Sequence, residues 1–126
     1  MIVIKFRGKS TVTDEWIYGG VIPCSIYYGF TVDRWFITGD DGDSDEVLRG
    51  TVGQYIGFKD KHRVEIYEGD IVRWGGIKYV VRYSNHIAAF MLYGRERQLP
   101  IYGEDTDKYE VIGNVYDNPE LLEETI

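Results

Sequence analysis

The chain has 126 residues, a formal net charge of −7 and 44% hydrophobic residues. This length and composition suit one globular domain with its own core. The negative charge argues against a protein that coats nucleic acid by bulk electrostatics. The single cysteine, Cys24, cannot form an intramolecular disulfide, and no apolar run approaches the roughly 20 residues that span a bilayer. The first residues lack the layout of a signal peptide. We therefore expect a single domain, residues 1–126, in the cytoplasm, with no membrane contact.

The first half of the chain predicts short strands separated by turns. Apolar and polar residues alternate over 2–6, which is the period of a strand. Extended patterning returns over 16–18 and 21–37, with a break at Gly29. Residues 38–44 are rich in glycine and aspartate and predict a loop, followed by a helical turn at most. We expect a curved antiparallel sheet in this N-terminal part, residues 1–57.

The second half gives clearer turn signals. Gly75-Gly76 separates two β-rich runs, residues 70–74 and 77–83, and predicts a two-residue hairpin. Two further strands are predicted at 88–92 and 109–116. Asn118-Pro119 predicts the N-cap of a short C-terminal helix. Gly69-Asp70 before a β-branched run is typical of the first strand of an SH3-like barrel. The predicted fold is mainly β, with a small SH3-like barrel in residues 58–126.

Metal and cofactor sites are poorly supported by the sequence. Asp41, Asp43 and Asp45 alternate as in a calcium loop, but Glu46 and Val52 stand where that loop needs glycine and a bidentate glutamate. The candidate zinc ligands are not paired at ligand spacing; they are Cys24, His62 and His86. We predict no metal, no cofactor and no catalytic set from these patterns.

Three carboxylates, Glu65, Glu68 and Asp70, lie within six residues. An enzyme could use two of them as acid and base if burial separated their pKa values. The alternative is turn chemistry and ion pairing with the basic residues that precede them.

The one dense basic run contains Lys59, Lys61 and Arg63, next to Tyr55 and Phe58. Basic side chains beside aromatic rings can hold a nucleic-acid backbone and stack bases. Asp60 interrupts the run and the whole chain is acidic, so a solvated turn is the competing interpretation. Any nucleic-acid binding here is expected to be weak and salt-sensitive.

Several segments together resemble the YopX family of phage and prophage proteins. They are residues 5–9, 15–19, 51–57, 59–61, 65–72, 110–116 and 118–122. The resemblance implies a mainly β fold, a phage or prophage origin and a host-cytoplasmic setting, with no established activity or catalytic residues. We interpret its motif residues mainly as turn formers; they are Gly53, Gln54, Gly57, Glu68, Gly69, Asp70, Gly113 and Asn114. His62-Arg63 replaces the Asn-Gly that family members tend to have, which predicts a wider turn there.

Three functional hypotheses follow. The first is a non-catalytic accessory module that binds a protein or assembles with copies of itself. The second is a nucleic-acid-contacting barrel in phage DNA or RNA metabolism. The third is a hydrolase that depends on the carboxylates of Glu65, Glu68 and Asp70, with or without a metal.

Overall fold

The computed structural model describes residues 3–27 and 30–123, with side-chain detail outside 23–33. Cys24 therefore lies outside the described side chains, and Gly29 lies outside the described residues. The chain forms two compact units, Met1–Tyr55 and Ile56–Ile126. Within the described ranges no helix has the length and apolarity to cross a membrane.

The described strands are antiparallel and fall in two sheets. In chain order they are β1 (Phe6–Lys9), β2 (Trp16–Tyr27), β3 (Phe30–Thr38), β4 (Ser44–Val47), β5 (Gly53–Lys59), β6 (Glu65–Tyr67), β7 (Asp70–Trp74), β8 (Ile77–Ser84), β9 (Ala89–Tyr93), β10 (Gln98–Pro100) and β11 (Glu110–Asn114). The hydrogen-bonding order is β4-β3-β2-β1-β5-β6 in one sheet and β10-β9-β8-β7-β11 in the other. The mainly β prediction is confirmed.

The first unit contains β1 to β4 and the first residues of β5. Its described buried apolar side chains include Ile37 and Val47, at 0% and 3% exposure. Gly8 lets β1 pack closely on both, because a Cβ at Gly8 would lie 3.0 Å from Val47 Cβ and 3.2 Å from Ile37 Cδ1. The prediction of at most a helical turn after residue 44 is wrong. β4 instead pairs with β3, where it buries Val47 and lets Arg34 bind Glu46.

The second unit contains the end of β5 and β6 to β11. Its core is a cluster of side chains from several strands; they are Ile66, Val72, Tyr79, Val81, Leu92 and Tyr109. Gly75 and Gly76 form the predicted two-residue turn, with Trp74 paired to Ile77 across it. Both glycines have positive φ, 60° and 79°. Such values are favourable for glycine and match the hairpin turn that suits strand twist. The hairpin prediction is confirmed.

The described strands form no closed barrel, so the SH3-like detail of the prediction is not confirmed. β10 and β11 stand at opposite ends of the five-stranded order, which is therefore an open sheet. β10 has only three residues and ends in Pro100, which has no N–H to donate to a further strand.

The C-terminal segment forms a single 3-10 turn, Pro119–Leu122, in place of a capped α-helix. The side chain of Asn118 does not cap this turn. Its amide oxygen instead accepts the Asn114 N–H at 3.2 Å, which ties the turn back to the end of β11. Two further 3-10 helices span Arg49–Thr51 and Gly103–Lys108.

Candidate functional site

The connection between β5 and β6, residues 60–64, is organised by one buried carboxylate. Asp60 is 3% exposed. Its Oδ1 accepts the backbone N–H groups of His62 at 2.8 Å and Val64 at 2.9 Å, and its Oδ2 accepts that of Val111 at 2.9 Å. The sequence interpretation treated Asp60 as a gap in the basic run. It is instead the acceptor that fixes the turn, a role that aspartate commonly takes near turns.

The turn is wider than two residues, as the replacement of Asn-Gly predicts. Asp60 N–H donates to Val64 O at 2.8 Å, and Arg63 N–H donates to Asp60 O at 3.0 Å. Residues 61–63 thus form a three-residue loop whose last residue, Arg63, has φ 66°. A left-handed residue at this place is usual for such loops, but a Cβ there costs about 1 kcal/mol or more.

The three cations of the predicted patch lie exposed around this turn. The side chains of Lys59, Lys61 and Arg63 make no hydrogen bond or ion pair with any residue among 3–27 and 30–123. The predicted pairing of these cations with the nearby carboxylates is therefore not made. His62 differs, because its Nε2 lies 3.3 Å from Glu110 Oε2. The turn presents three cations that a ligand can reach without breaking an existing ion pair.

The two aromatic residues of the predicted patch differ in their exposure to solvent. Phe58 is 45% exposed and remains available beside the cations. Tyr55 is 7% exposed and belongs to the first unit, where its N–H donates to Lys5 O at 2.8 Å and Lys5 Nζ lies 5.6 Å from its ring centroid. The burial of Tyr55 leaves Phe58 as the exposed ring of the predicted patch.

The segment that precedes β11 lies against the same turn. Lys61 N–H donates to Tyr109 O at 3.0 Å. A Cβ built at Gly103 would lie 2.5 Å from Phe58 Cζ, so the Phe58 ring rests on this glycine. The neighbouring Tyr102 is 57% exposed. Tyr102 stands in an irregular stretch of the sequence, and no periodic signal there marks it as a site residue. We call residues 58–64 the basic hairpin, and Phe58 with Tyr102 the aromatic pair.

The three predicted carboxylates each accept a hydrogen bond from the protein. Glu65 Oε1 accepts the Tyr67 hydroxyl at 3.0 Å. Asp70, only 2% exposed, accepts the Tyr67 N–H at 2.7 Å. Glu68 Oε2 accepts the Tyr83 N–H at 3.4 Å. The two contacts with Tyr67 are local to the connection between β6 and β7, and the third joins Glu68 to β8.

Gly69 and Asp70 form the tight connection between β6 and β7. Gly69 has φ 92°, and a Cβ there would lie 2.9 Å from the Tyr116 ring. Its N–H donates to Val81 O and its carbonyl accepts the Val115 N–H, at 2.8 and 3.0 Å. A side chain at position 69 would therefore meet both steric and backbone strain. Gly69 therefore lies in the turn, and Asp70 begins β7.

Gly113 and Asn114 end β11 and hold the turn after it. Asn114 Oδ1 accepts the N–H groups of Tyr116 and Asp117 at 3.0 and 2.9 Å, and its carbonyl accepts the Asn118 N–H at 2.8 Å. A Cβ at Gly113 would lie 2.5 Å from Asn118 Oδ1. Gly113 and Asn114 thus stabilise the turn formed by residues 114–118.

Three other motif residues lie within a strand and correct the turn interpretation. Gly53 and Gln54 belong to β5 and pair with Arg7 and Phe6 of β1. Gly57 also lies in β5, with φ 96°. Glycine tolerates that value inside a strand, so the motif fixes a strand irregularity at this position.

Tyr109 is a core side chain of the second unit with an unsatisfied polar group. The residue is fully buried and its hydroxyl has no hydrogen-bond partner in the described part of the chain. Burial, with smaller effects from Asp105 and Tyr79, raises the pKa of Tyr109 to about 12. Its ring packs edge-on against Trp74, with centroids 5.1 Å apart. It contacts the core and not the surface of the basic hairpin.

Cations of the first unit stack on that unit's own aromatic rings. The Arg7 guanidinium lies 4.5 Å from the Trp16 ring centroid, and Lys9 Nζ lies 5.6 Å from it. Arg34 binds Glu46 through two hydrogen bonds of 3.0 and 2.9 Å, which hold the pKa of that carboxyl below its ordinary value. These cations are engaged in the fold, in contrast to those of the basic hairpin.

The segment rich in glycine and aspartate, residues 38–44, contains no set of metal ligands. Asp41 Oδ1 accepts the Asp43 N–H at 2.9 Å, which is a local turn contact. Asp45 and Glu46 lie in β4, after the predicted loop of residues 38–44. Over residues 3–27 and 30–123, no cluster of three or more His, Cys, Asp or Glu side chains could hold a metal ion.

Comparison with known proteins identifies the family. The model of the family described as YopX protein matches residues 5–123. The chain belongs to the YopX family. The crystal structure of protein EF1440 from Enterococcus faecalis is similar to this YopX-family chain, with a TM-score of 0.61 and 25% sequence identity. The likeness covers 98% of this chain and 100% of that one. The search of the curated proteins found no match.

Proposed function

We propose that this YopX-family chain is a non-catalytic accessory protein of a phage or prophage. It acts in the host cytoplasm by binding a negatively charged partner at the basic hairpin. One observation carries the proposal: Lys59, Lys61 and Arg63 are exposed and have no ion pair with the described residues. An acidic protein segment, including one from a second copy of the chain, and a nucleic acid share the negative charge that this site requires.

The rigidity of the hairpin supports a binding role. Asp60 uses both carboxylate oxygens on three backbone N–H groups, and one of these belongs to Val111 of β11. The cations therefore extend from a backbone that is already fixed. A fixed backbone reduces the conformational entropy that a ligand must overcome on binding.

The carboxylate chemistry supports the non-catalytic part of the proposal. Asp70 and Glu65 accept hydrogen bonds from Tyr67, and Glu68 accepts one from Tyr83. A general acid or base must be able to exchange protons with a substrate. Carboxylates that bind neighbouring backbone and hydroxyl groups are better explained as parts of the fold.

The test is capture of partners by the tagged protein from host cells that carry the phage or prophage. The wild type is compared with Lys61→Glu, and Arg97→Glu is the matched control because Arg97 is another exposed cation of the second unit. We expect Lys61→Glu to lose the captured partner and Arg97→Glu to keep it. Equal capture by all three proteins would refute the hairpin as the binding site.

A nuclease arm separates the two partner classes. A captured protein that survives nuclease identifies a protein partner, and material lost on nuclease treatment identifies nucleic acid. Light scattering of the purified chain at low and raised salt tests the second copy. We expect any self-association through the hairpin to disappear in Lys61→Glu and at raised salt, because exposed charge contacts are screened.

A further inference from the structure

The aromatic pair places two rings on the surface of the second unit. Phe58 is 45% exposed and Tyr102 is 57% exposed. The Phe58 ring rests on Gly103, the residue next to Tyr102, so the two aromatic residues are neighbours in space. Single exposed apolar residues are common on proteins, but neighbouring exposed rings form a surface on which planar groups can stack.

The aromatic pair lies beside the free cations. Asp60 binds Val111 N–H, Lys61 N–H binds Tyr109 O, and His62 contacts Glu110. These three contacts dock the turn of the basic hairpin onto the segment that follows Tyr102. Exposed rings and unpaired cations therefore lie close together in one compact unit.

The local charge decides what this face can bind. Lys59, Lys61 and Arg63 supply three positive charges. Four carboxylates lie in the docked segment; they are Glu104, Asp105, Asp107 and Glu110. Asp105 contacts Lys108 at 3.7 Å, and Glu110 contacts His62 and Arg73. Glu104 and Asp107 are exposed and have no ion pair within the described residues. Among the exposed side chains, three free cations against two free carboxylates leave an excess of one positive charge, and the buried Asp60 of the same hairpin offsets it.

Such a small excess is insufficient for binding by charge alone. A duplex hides its bases and offers mainly phosphates, so it gains little here. A single strand also offers base faces, and stacking on aromatic rings tolerates any base. We infer that the basic hairpin and the aromatic pair bind single-stranded nucleic acid, with rings on bases and cations on phosphates. This inference rests on the proposed binding function of the hairpin and names its partner class.

Two magnitudes follow from this arrangement. Three phosphate contacts to a single strand give a slope of log affinity against log salt of about −2. Removal of one stacking ring weakens binding by about tenfold, which corresponds to about 1.4 kcal/mol. Binding is thus expected to be weak, moderately salt-dependent and strongly dependent on the rings.

The test is fluorescence anisotropy with labelled oligothymidylate of about 12 nucleotides, within the range of single-strand site sizes. A duplex of equal length is titrated in parallel, at low and raised salt. Phe58→Ala and Tyr102→Ala are compared with Tyr83→Ala, the matched control, since Tyr83 is 44% exposed in the same unit. Glu104→Gln removes a repulsive charge without touching the rings. Circular dichroism checks that each variant is folded.

The expected result is preference for the single strand over the duplex. Phe58→Ala and Tyr102→Ala should each lose about tenfold in affinity, Tyr83→Ala should bind as the wild type does, and Glu104→Gln should bind more tightly. The inference is overturned if no oligonucleotide binds at low salt, if the duplex binds as well as the single strand, or if the ring variants bind normally.

Failure of this inference and failure of the proposed function are distinguishable. If oligonucleotides do not bind but Lys61→Glu still abolishes capture of a nuclease-resistant protein, the hairpin is a protein-binding site and only the inference fails. If Lys61→Glu changes neither oligonucleotide binding nor capture, both fail.

Discussion

Asp60 should be essential for the stability of the basic hairpin. Two substitutions of Asp60 that remove different numbers of its hydrogen bonds test this. Asp60→Ala takes away three accepted hydrogen bonds, from His62, Val64 and Val111. A buried donor left without a partner costs about 1–3 kcal/mol. The His62 and Val64 N–H groups lie in an exposed turn and can bind water, so the lower end of the range applies to them. We expect a total loss of about 3 kcal/mol, a large share of the 5–15 kcal/mol typical of domains.

Asp60→Asn is the matched variant, because it preserves the shape and removes the charge. Its amide oxygen can still accept from His62 and Val64. Its NH₂ group then faces the Val111 N–H, so a donor meets a donor. We expect a loss of about 1–2 kcal/mol, smaller than that of the alanine variant.

Urea denaturation measures the order of stabilities, since a loss of about 3 kcal/mol lowers the midpoint by about 1–3 M. Amide hydrogen exchange followed by NMR gives the local readout at His62, Val64 and Val111. Faster exchange at Val111 alone in Asp60→Asn, and at all three amides in Asp60→Ala, is the expected pattern. If Asp60→Asn is as stable as the wild type, the Oδ2–Val111 hydrogen bond does not support the turn as argued.

Two further predictions concern Tyr109 and Arg63. Tyr109→Phe should stabilise the protein by about 1 kcal/mol near neutral pH, because it removes a buried hydroxyl without a partner in the described chain. Its advantage should grow between pH 10 and 12. The unfolded tyrosine releases its proton near pH 10 while the folded pKa is about 12, so this group lowers the stability of the wild type as pH rises and has no counterpart in the variant. Parallel urea titrations check this, and a constant advantage would contradict it. Arg63→Gly should be more stable than Arg63→Ala by about 0.5–1 kcal/mol, because only glycine relieves the strain at φ 66°. Equal thermal midpoints for these two variants would contradict the strain argument.

The sequence predicted the fold best where structure is set by adjacent residues. Gly75-Gly76 gives the hairpin directly, because both positions need positive φ and glycine adopts it without strain. β4 was missed because its residues, Ser44–Val47, are mostly polar and become a strand only through pairing with β3. The SH3-like barrel is an extrapolation from Gly69-Asp70. That pair specifies the turn into β7 but not how the last strands of the sheet meet.

In the candidate site too, the sequence predicts what adjacent residues determine and does not predict what contacts between distant residues determine. The cations were found because they are close in sequence and charged residues usually lie at the surface. Tyr55 and Phe58 could not be separated, since the burial of one ring and the exposure of the other depend on packing. Tyr102 joins the site only because Gly103 lies under Phe58. Asp60 was underrated because its third hydrogen bond goes to Val111, which is 51 positions away.

Arg63 connects the stability of the hairpin with its proposed function. A solvated turn without a ligand gains nothing from a Cβ at φ 66°, and glycine would fit there with less strain. The Arg63 side chain nevertheless extends from this position, exposed and without an ion pair to the described residues. Strained residues that persist in a well-fixed backbone are found disproportionately at functional positions. If the hairpin binds anionic groups, Arg63→Gly raises stability and weakens binding at once. If the turn is only a connection, the same change raises stability and affects nothing else.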